Sequence, residues 1–560
     1  MKKIKHLYTK EGESLNGQEY NVYPRPQLKR ESFYSLNGTW RLTYGDNQKI
    51  NITVPYPPES ILSGVFKDMG KDPRLEYEKE FALPKGFVKD RVILNFGAVD
   101  QICTVYLNGK QVGKNEGGYN HFSCDITNEI RDINILSVKV EDNLSDKSLP
   151  YGKQRYKRGG MWYTPISGIW QSVWIESVPE EYIKDMRINT GRDGARIYFA
   201  GANEGKVTVE TPKGKKKFPV ENGICQVILD EVRVWSPADP YLYRFVAELG
   251  QDRVESYFAI RTLEIKEIDG YPRICLNGEP FFFHAVLDQG YFSDGIFTPA
   301  TPELYREDIL KMKELGFNTL RKHIKIEPDW FYYECDRLGM VVMQDFVNNG
   351  NYSFLRDTAF PTVFSKKMPQ FLMSRSKNEK KRFIEGMKRT VKQLYNHPCV
   401  CYWTIFNEGW GQFDADEMYE LLKELDNTRI IDSTSGWFKK KKSDVESLHI
   451  YFKPVKIKES PRPIILSEFG GYSYKVENHV ANEKNTYGYK LYSEKTEFMN
   501  GLERLYLEQV VPQIPKGLCG AVYTQLSDVE DETNGLYTYD RRVCKVDKDV
   551  MLAIAEKLKI

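Results

Sequence analysis

The sequence predicts a multidomain protein in which two antiparallel β-sandwiches precede a (β/α)8 barrel. Its 560 residues exceed the size of one ordinary domain. Up to about residue 264 the apolar residues follow a period of two with turn signals, whereas from about residue 265 strand-like and helix-like segments alternate. We therefore predict domains at 1–178, 179–264 and 265–560.

The first two domains are predicted from short strand-like runs. In the first, "RVILNF" (91–96) alternates largely between apolar and polar positions, and "CTVYLNGKQVG" (103–113) carries an Asn-Gly hairpin signal between two such runs. "GIWQSVWIE" (168–176) is a further strand candidate. The second block has shorter strands, such as "KVTVET" (206–211) and "YRFVAEL" (243–249), and its size suits an immunoglobulin-like sandwich.

The barrel prediction depends on eight strand candidates. The first, "PFFFHAV" (280–286), precedes a helix that we expect to open with Thr301 as N-cap and Pro302 as first residue and to end at Gly316. Further helices are expected near 328–338, 378–396 and 547–558. The gaps 434–445 and 452–462 are so short that we expect their outer helices to be reduced to a turn. The other seven strand candidates are "FNTLR" (317–321), "MVVMQ" (340–344), "CVCYWTIF" (399–406), "RIIDS" (429–433), "ESLHIY" (446–451), "PIILS" (463–467) and "CGAVYTQ" (519–525).

Composition excludes several classes of protein. Eighty basic and 78 acidic residues leave a net charge of +2, which argues against a nucleic-acid-binding surface. The start "MKKIKHLYTKEGES" has no apolar stretch and no later run is long enough to span a membrane, so we expect a cytoplasmic protein. Nine scattered cysteines without a CxxC pair predict free thiols and no zinc site. An aromatic content of 13% suits carbohydrate binding and sandwich cores equally.

Two glutamates follow different predicted barrel strands. Since active sites of such barrels lie at the carboxyl ends of the strands, Glu408 after strand four and Glu468 after strand seven should share one mouth. A carboxylic acid and a carboxylate at that position indicate glycoside hydrolysis by general acid/base catalysis with a carboxylate nucleophile. A glutamate after a strand can also cap a helix or lie on the surface, and Arg321 after strand two could merely pair with an acidic neighbour.

Several motifs resemble glycoside hydrolase family 2, which includes β-galactosidases, β-glucuronidases and β-mannosidases. "YNHPCVCYWTIFNE" (395–408) resembles the acid/base signature of that family, "GFNTLRKH" (316–323) its other signature, and "ILSEFGG" (465–471) its nucleophile strand. The similarity covers nearly the whole chain. Four further motifs resemble the jelly roll and the immunoglobulin-like domain of the family: "LNGTW" (36–40), "YLNGKQVG" (106–113), "SGIWQSVWIE" (167–176) and "WSPADPYLY" (235–243).

The resemblance implies a retaining mechanism without a cofactor. Glu408 would be the acid/base and Glu468 the nucleophile, with carboxyl groups about 5–5.5 Å apart. Asn407 would hydrogen-bond the 2-hydroxyl of the sugar, and Tyr451 and Arg321 would flank the nucleophile and keep it charged.

Two positions differ from the familiar β-galactosidases. Asp288 stands where they carry a His-rich motif, and it would accept hydrogen bonds from sugar hydroxyls, unless it only closes an Asx-type turn. Asn349 and Asn351 stand where their magnesium ligands lie. Amide side chains without a carboxylate are poor ligands for a hard dication, so we predict no catalytic metal.

Other positions bear on the sugar. β-Glucuronidases carry an Asn-x-Lys pair after strand eight, and Glu532 and Asn534 stand there in this chain. An acidic residue should repel a uronate. Gln525 lies near the floor Trp of the β-galactosidases, so Trp437 or Trp410 would supply the sugar platform, if they are not simply packed in the protein.

The leading hypothesis is an exo-acting retaining β-glycosidase for a neutral terminal sugar, with a β-galactoside as first choice. One alternative is a family 2 hydrolase of other specificity, namely a β-glucuronidase, β-mannosidase or α-L-arabinosidase. The other is a non-catalytic carbohydrate-binding protein, against which the presence of both Glu408 and Glu468 argues. The partner in every case is a carbohydrate, and a homo-oligomer formed through the sandwiches stays open.

Overall fold

The computed structural model describes residues 5–15, 20–353, 356–357 and 375–560. It confirms the predicted fold class, two β-sandwich domains followed by an eight-stranded parallel barrel. The nine cysteines are free thiols and all but Cys544 are buried, as predicted. None of the helices in the described residues is long and apolar enough to cross a membrane.

The N-terminal domain is an antiparallel sandwich. A six-stranded sheet in the order β3-β2-β4-β10-β7-β8 packs against a four-stranded sheet in the order β1-β12-β5-β9. Asn108 and Gly109 form the predicted hairpin turn, both with positive φ. Its strands are β1 (Tyr34–Ser35), β2 (Gly38–Tyr44), β3 (Gln48–Val54), β4 (Arg74–Phe81), β5 (Arg91–Phe96), β6 (Val99–Asp100), β7 (Ile102–Leu107), β8 (Lys110–Glu116), β9 (Phe122–Asp125), β10 (Asn134–Glu141), β11 (Gly168–Ile169) and β12 (Val173–Val178), preceded by the one-turn helix α1 (Lys10–Glu13).

The second sandwich has seven strands around its own apolar core. They follow the antiparallel order β13-β14-β17-β16-β15-β18-β19, and their buried side chains alternate with exposed ones. The strands are β13 (Asp185–Thr190), β14 (Gly194–Ala200), β15 (Gly205–Thr211), β16 (Gly214–Glu221), β17 (Ile224–Ile228), β18 (Tyr243–Leu249) and β19 (Asp252–Phe258).

A small antiparallel sheet that the sequence analysis did not predict joins this sandwich to the barrel. It consists of β20 (Leu263–Ile268), β21 (Tyr271–Leu276) and β22 (Glu279–Pro280). Arg273 is buried and donates to the carbonyl oxygens of Ile514 and Leu518, which lie just before and at the start of the last barrel strand. The sheet therefore packs at the amino ends of the barrel strands, away from the predicted site.

The barrel consists of eight parallel strands whose residues are almost all buried. Their order is β27-β26-β25-β24-β23-β32-β29-β28, and the Oγ atoms of Ser435 and Ser447 lie 3.3 Å apart where the two edge strands meet. The strands are β23 (Phe283–Asp288), β24 (Thr319–Lys322), β25 (Val341–Asp345), β26 (Val400–Asn407), β27 (Ile430–Ser435), β28 (Glu446–Ile450), β29 (Ile464–Gly470) and β32 (Leu518–Thr524), with the short pair β30 (Tyr472–Tyr474) and β31 (Lys490–Tyr492) inserted before the last.

Helices surround the barrel at most of the predicted places. As predicted, no helix forms in 436–445 or 452–462. The expected N-cap was wrong by one residue, because Pro302 is the N-cap of the first barrel helix and Thr301 lies before it. The helices at 415–425 and 495–504 were not predicted from the sequence. The helices are α2 (Glu303–Glu314), α3 (Asp329–Leu338), α4 (Lys377–Leu394), α5 (Ala415–Leu425), α6 (Lys495–Arg504) and α7 (Lys548–Lys557).

The Asn-His-Pro motif before β26 ties the barrel to the second sandwich. The side chain of Asn396 bonds the backbone of Met186 and Ile188 at 2.8 Å each. His397 is buried, and its Nδ1 lies 2.6 Å from Asp336 Oδ2 on α3. This motif therefore anchors the amino end of β26, the strand that leads to Glu408, and does not itself reach the barrel mouth.

Candidate active site

Glu408 follows β26 in a backbone conformation that few side chains adopt. Its φ is +52°, and its N–H donates to the carbonyl of Ser435 on the next strand at 2.9 Å. Non-glycine residues in this region carry strain and concentrate at functional sites. The indole N–H of Trp437 donates to the carbonyl of Glu408 at 3.1 Å, so two neighbours hold the chain where it leaves the barrel.

Glu468 on β29 is surrounded by groups that favour its ionised form. Arg321 donates to Glu468 Oε1 at 3.1 Å, and the hydroxyl of Tyr451 donates to Oε2. Burial alone would raise the pKa of this carboxyl. The charge that His449 carries when protonated, the guanidinium of Arg321 and the bond from Tyr451 outweigh burial and lower the pKa to about 2. Glu468 is therefore a carboxylate at neutral pH.

Arg321 on β24 connects four parts of the site. Besides Glu468 it donates to Asp345 Oδ1 at 3.1 Å, to the carbonyl of Ser467 at 2.9 Å and to Asn407 Oδ1 at 2.8 Å. Arg321 thus pairs with an acidic neighbour, Asp345, as the sequence allowed, and it also contacts Glu468. Because its Oδ1 accepts from Arg321, Asn407 turns its amide nitrogen to the other side. This nitrogen is buried and has no hydrogen-bond partner among the described residues.

His449 lies between the two glutamates and was not predicted as a site residue. Its Nδ1 is 2.9 Å from Glu408 Oε1 and its Nε2 is 3.7 Å from Glu468 Oε1. A signal was available: His449 precedes Tyr451 by two positions, so both side chains point to the same face of the strand. Irregularities in the pairing of β28 with β29 place His449 directly opposite Glu468.

The two carboxylates lie close together. One ligand atom each of Glu408, His449 and Glu468 falls within 4.8 Å of the others, and no second cluster of this kind occurs in the described parts of the chain. The contacts of Glu468 with Arg321 and Tyr451 satisfy its charge without an ion, so the cluster is suited to acid/base chemistry. Its spacing is compatible with a retaining pair and shorter than the gap that an inverting pair leaves for water.

Asp288 is committed to contacts within the protein. Its Oδ1 accepts from the N–H of Gly290 at 2.8 Å, an Asx-type turn, and its Oδ2 accepts from Lys322 at 2.5 Å. Lys322 also donates to Glu327 at 2.9 Å. Burial raises the pKa of Asp288, but the charge and hydrogen bond of Lys322 lower it by more than burial raises it. The net shift is therefore downward. Asp288 thus closes an Asx-type turn, which was one alternative considered from the sequence. Its contact with a sugar stays a prediction.

Gln525 and Glu532 form one buried polar network. Gln525 donates to Asn534 Oδ1 at 2.9 Å and accepts from Gln289 at 2.8 Å. The hydroxyl of Tyr163, which comes from the N-terminal sandwich, donates to Glu532. Burial raises the pKa of Glu532, which is buried. The negative charge that the sequence suggested at this position is therefore disfavoured.

Lys153 extends from the N-terminal sandwich towards this network. It is 7% exposed, and its ammonium lies 5.6 Å from the ring centroid of Tyr163 and 5.5 Å from that of Trp410. No hydrogen-bond acceptor contacts its ammonium among the described residues, although its charge acts on both Glu532 and His323. Its loop position has no periodic pattern, so the sequence offered no signal for it.

The two candidate tryptophans occupy different environments. Trp410 is 1% exposed and stacks on Trp162, with centroids 5.2 Å apart. This contact supports the packing alternative. Trp437 is half-buried, and its ring lies edge-on to His449 at 5.5 Å. Trp437 is therefore the more accessible of the two beside the catalytic candidates.

Three family profiles match this chain in the order of its domains. The profile described as glycosyl hydrolase 2 galactose-binding domain-like matches residues 68–193, glycosyl hydrolases family 2 matches 183–261, and glycosyl hydrolases family 2, TIM barrel domain, matches 272–542. Among curated relatives, a β-glucuronidase of Chlorocebus aethiops is 25% identical over 477 residues, 73% of this chain and 69% of that protein. A β-galactosidase of Thermoanaerobacter pseudethanolicus is 25% identical over 429 residues, 70% of this chain and 53% of that protein.

Solved structures share the whole architecture. A β-glucuronidase from an uncultured Clostridium sp. superposes with a TM-score of 0.74 at 19% identity, covering 96% of this chain and 99% of its own. A β-galacturonidase from Eisenbergiella tayi, bound to galacturonate, has a TM-score of 0.70 at 18% identity, with 96% and 99% covered. At this identity the likeness supports the fold alone. Together with the matches of all three domain profiles, it leads to one conclusion: the chain belongs to glycoside hydrolase family 2, a family of retaining glycosidases.

Proposed function

We propose that this protein hydrolyses a terminal β-linked glycoside with retention of configuration, with Glu408 as acid/base and Glu468 as nucleophile. The observation that carries the proposal is the pair of carboxylates within 4.8 Å, one of them held ionised. In the first step Glu468 bonds to the anomeric carbon while Glu408 gives its proton to the departing oxygen. In the second step Glu408 takes a proton from water, which displaces Glu468.

Asn407 is proposed to bind the 2-hydroxyl of the sugar. Its amide nitrogen is the buried donor without a partner described above, and Arg321 fixes its orientation at 2.8 Å. A donor of this kind stabilises the transition state if it is bonded only when the sugar is in place.

For the sugar itself we propose a uronide, with Lys153 contacting the carboxylate of the substrate. An ammonium that no acceptor among the described residues contacts suits an anionic partner. Among the relatives and structures compared, a β-glucuronidase and a uronate-bound β-galacturonidase both appear. The sequence argument against a uronate rested on a negative charge at Glu532. Burial raises the pKa of that carboxyl, which weakens the argument.

A neutral β-galactoside is the second candidate. It is favoured by Asn534, which stands where a β-glucuronidase carries its uronate-binding lysine, and by the similarity to a β-galactosidase. In that case Lys153 would donate to sugar hydroxyls. The acidic Glu532 would then be an acceptor rather than an obstacle.

The test is a panel of nitrophenyl glycosides with matched variants. Wild type should hydrolyse one β-glycoside, and Glu408→Ala and Glu468→Ala should both lose most of that turnover. Azide should rescue Glu408→Ala with a β-glycosyl azide and Glu468→Ala with an α-azide. If either alanine variant kept wild-type turnover, the assigned roles would be wrong.

The same panel decides between the two sugars. Lys153→Met should lower kcat/KM for the uronide by roughly 10- to 100-fold, the loss of one charge-assisted hydrogen bond, and leave β-galactoside turnover nearly unchanged. Lys184→Met is the control, because that lysine lies over Tyr182 at 5.6 Å in the second sandwich. A β-galactoside that outperformed both uronides in wild type would reject the uronide proposal and favour the second candidate.

A further inference from the structure

Phe452 is the most exposed large apolar residue in the parts of the chain that the structure describes. It is 76% exposed and directly follows Tyr451, whose hydroxyl donates to Glu468. Single apolar residues on a protein surface are common and need no functional explanation. The position of Phe452 relative to the candidate active site therefore decides whether it has a function.

Two ring contacts connect Phe452 to the side chain that bonds the nucleophile. The ring of Phe452 meets the ring of Tyr489 edge-on, with centroids 5.1 Å apart. Tyr489 in turn stacks on Tyr451, with centroids 3.7 Å apart and 10° between the ring planes. These are favourable geometries for aromatic pairs. The three residues therefore form one aromatic row that leads from solvent at Phe452 to the carboxylate of Glu468.

The middle ring of this row borders the barrel mouth. The N–H of Tyr489 donates to the carbonyl of Gly471, just after β29, at 2.9 Å, and a Cβ at Gly471 would collide with the ring of Tyr489. Burial raises the pKa of the Tyr489 hydroxyl, and the charges of Glu408 and Glu468 raise it further. The ring is therefore close to both catalytic candidates.

The exposure of Phe452 decides which part of a glycoside it can contact. The groups proposed to bind the sugar, Asn407 and Lys153, are buried. A terminal sugar held by these groups has its anomeric carbon at the two glutamates, and the leaving group, or aglycone, extends from there towards solvent. Phe452 lies at the solvent end of the aromatic row, so the aglycone is the part of the substrate within its reach.

We infer that Phe452 is a specificity-determining residue of the aglycone subsite and selects a leaving group that carries a flat apolar ring. The inference rests on the proposed function. A ring packed on Phe452 removes apolar surface from water on both partners and gains a stacking contact. A second sugar as leaving group would need hydrogen-bond partners for its hydroxyls, and the phenyl ring offers none.

The contact acts on the first chemical step alone. In that step Glu468 bonds to the anomeric carbon, the bond from this carbon to the aglycone oxygen breaks, and Glu408 gives its proton to that oxygen. The aglycone is absent when water later displaces Glu468. A contact with the aglycone therefore changes kcat/KM, which includes the first step, in a way that depends on the leaving group.

The test compares the benzyl and methyl glycosides of the best sugar. Both leave as alcohols of similar acidity, so the two substrates differ mainly in the ring. Phe452→Ala should lower the ratio of kcat/KM for the benzyl glycoside to that for the methyl glycoside by roughly 3- to 10-fold, the loss of one stacking contact. Phe452→Trp should keep or raise this ratio, whereas Phe452→Leu, which is apolar but has no ring, should lower it in part.

Ile133→Ala is the matched control, because Ile133 is 63% exposed in the N-terminal sandwich, away from the aromatic row. It should keep the ratio of wild type. Thermal unfolding should give similar midpoints for the variants and the wild type, since most of the Phe452 side chain already contacts water.

The pattern across substrates separates the outcomes. An unchanged kcat/KM for both glycosides in Phe452→Ala would make Phe452 an ordinary surface residue, and an equal fall for both would mean that it only supports Tyr451. A fall for a disaccharide of the same sugar as large as that for the benzyl glycoside would mean that the subsite takes a second sugar. Each of these results overturns the inference. The proposed function fails separately, through wild-type turnover in Glu408→Ala or Glu468→Ala.

Discussion

Gly436 should be required for activity because it leaves room for the imidazole of His449. It follows β27 with a φ of +91°, and a Cβ at this position would lie 2.8 Å from His449 Nδ1 and 2.9 Å from Cγ. An ordinary contact begins near 3.4 Å, so the ring would have to move by about 0.6 Å. Gly436→Ala would therefore push the ring against Glu408 or away from Ser435.

The expected magnitude has two parts. Placing an alanine in left-handed backbone costs about 1–2 kcal/mol of folding free energy. A displacement of about 1 Å at a catalytic contact costs roughly 100-fold in rate, so 0.6 Å should lower kcat/KM by at least roughly tenfold. Denaturant unfolding measures the first effect and steady-state kinetics on the best glycoside the second.

Gly70→Ala is the matched control, since Gly70 has a φ of +94° and a Cβ there would meet no atom within 4 Å. It should lose similar stability and keep its activity. If Gly436→Ala retained wild-type kcat/KM, or if Gly70→Ala lost activity equally, the argument from the imidazole would be refuted.

Three further outcomes are expected. Arg321→Lys should lower kcat/KM by roughly 100-fold or more with a smaller change in KM, because one ammonium cannot replace the planar contacts of the guanidinium to four groups. A fall in kcat/KM no larger than the change in KM would contradict this expectation. Tyr451→Phe should lower kcat/KM by roughly 10- to 100-fold, since Glu468 loses one donor; unchanged kinetics would assign the hydroxyl to packing. Burial raises the pKa of Glu176, but Arg25 and Arg30 outweigh it and lower the pKa to about 2, so about 3 kcal/mol of stability should be present above pH ~4.5 and be lost as the pH falls towards 2. Urea unfolding of Glu176→Gln should not show this loss of stability at low pH. If the stability of the variant and of the wild type fell in parallel as the pH decreased, the prediction would be wrong.

Much of the fold could be predicted because periodicity and length decide it. The strand ending in Asn407 is an eight-residue buried run with turn glycines after it, a pattern that leaves few alternatives. The sheet β20–β22 was missed because it lies at the predicted domain boundary and because its first strand, β20, has no buried residue that would mark a face. Thr301 was wrongly predicted as N-cap because Thr-Pro suits that role locally, whereas the helix itself begins at Glu303 with Pro302 as N-cap, and such boundaries vary by a residue.

The site could be predicted only where single strands end. Glu408 directly follows β26 and Glu468 lies two residues before the end of β29, so topology alone brings them to one mouth. To predict His449 one would have to know the register of β28 and β29, including its irregularities. To predict Lys153 one would have to know how the N-terminal sandwich docks on the barrel. Neither property is encoded in a local pattern. The predicted domain boundaries at 178 and 264 stay predictions.

The loop that carries Lys153 and Tyr163 belongs to a domain that has no part in bond cleavage. Residues 151–163 nevertheless supply a cation and a hydroxyl to the wall of the barrel mouth. Substitutions accumulating in this stretch would alter which glycans are accepted while the groups that break the bond stay untouched. The proposed role of Lys153 therefore places specificity and bond cleavage on separate stretches of the chain, which substitutions can change independently.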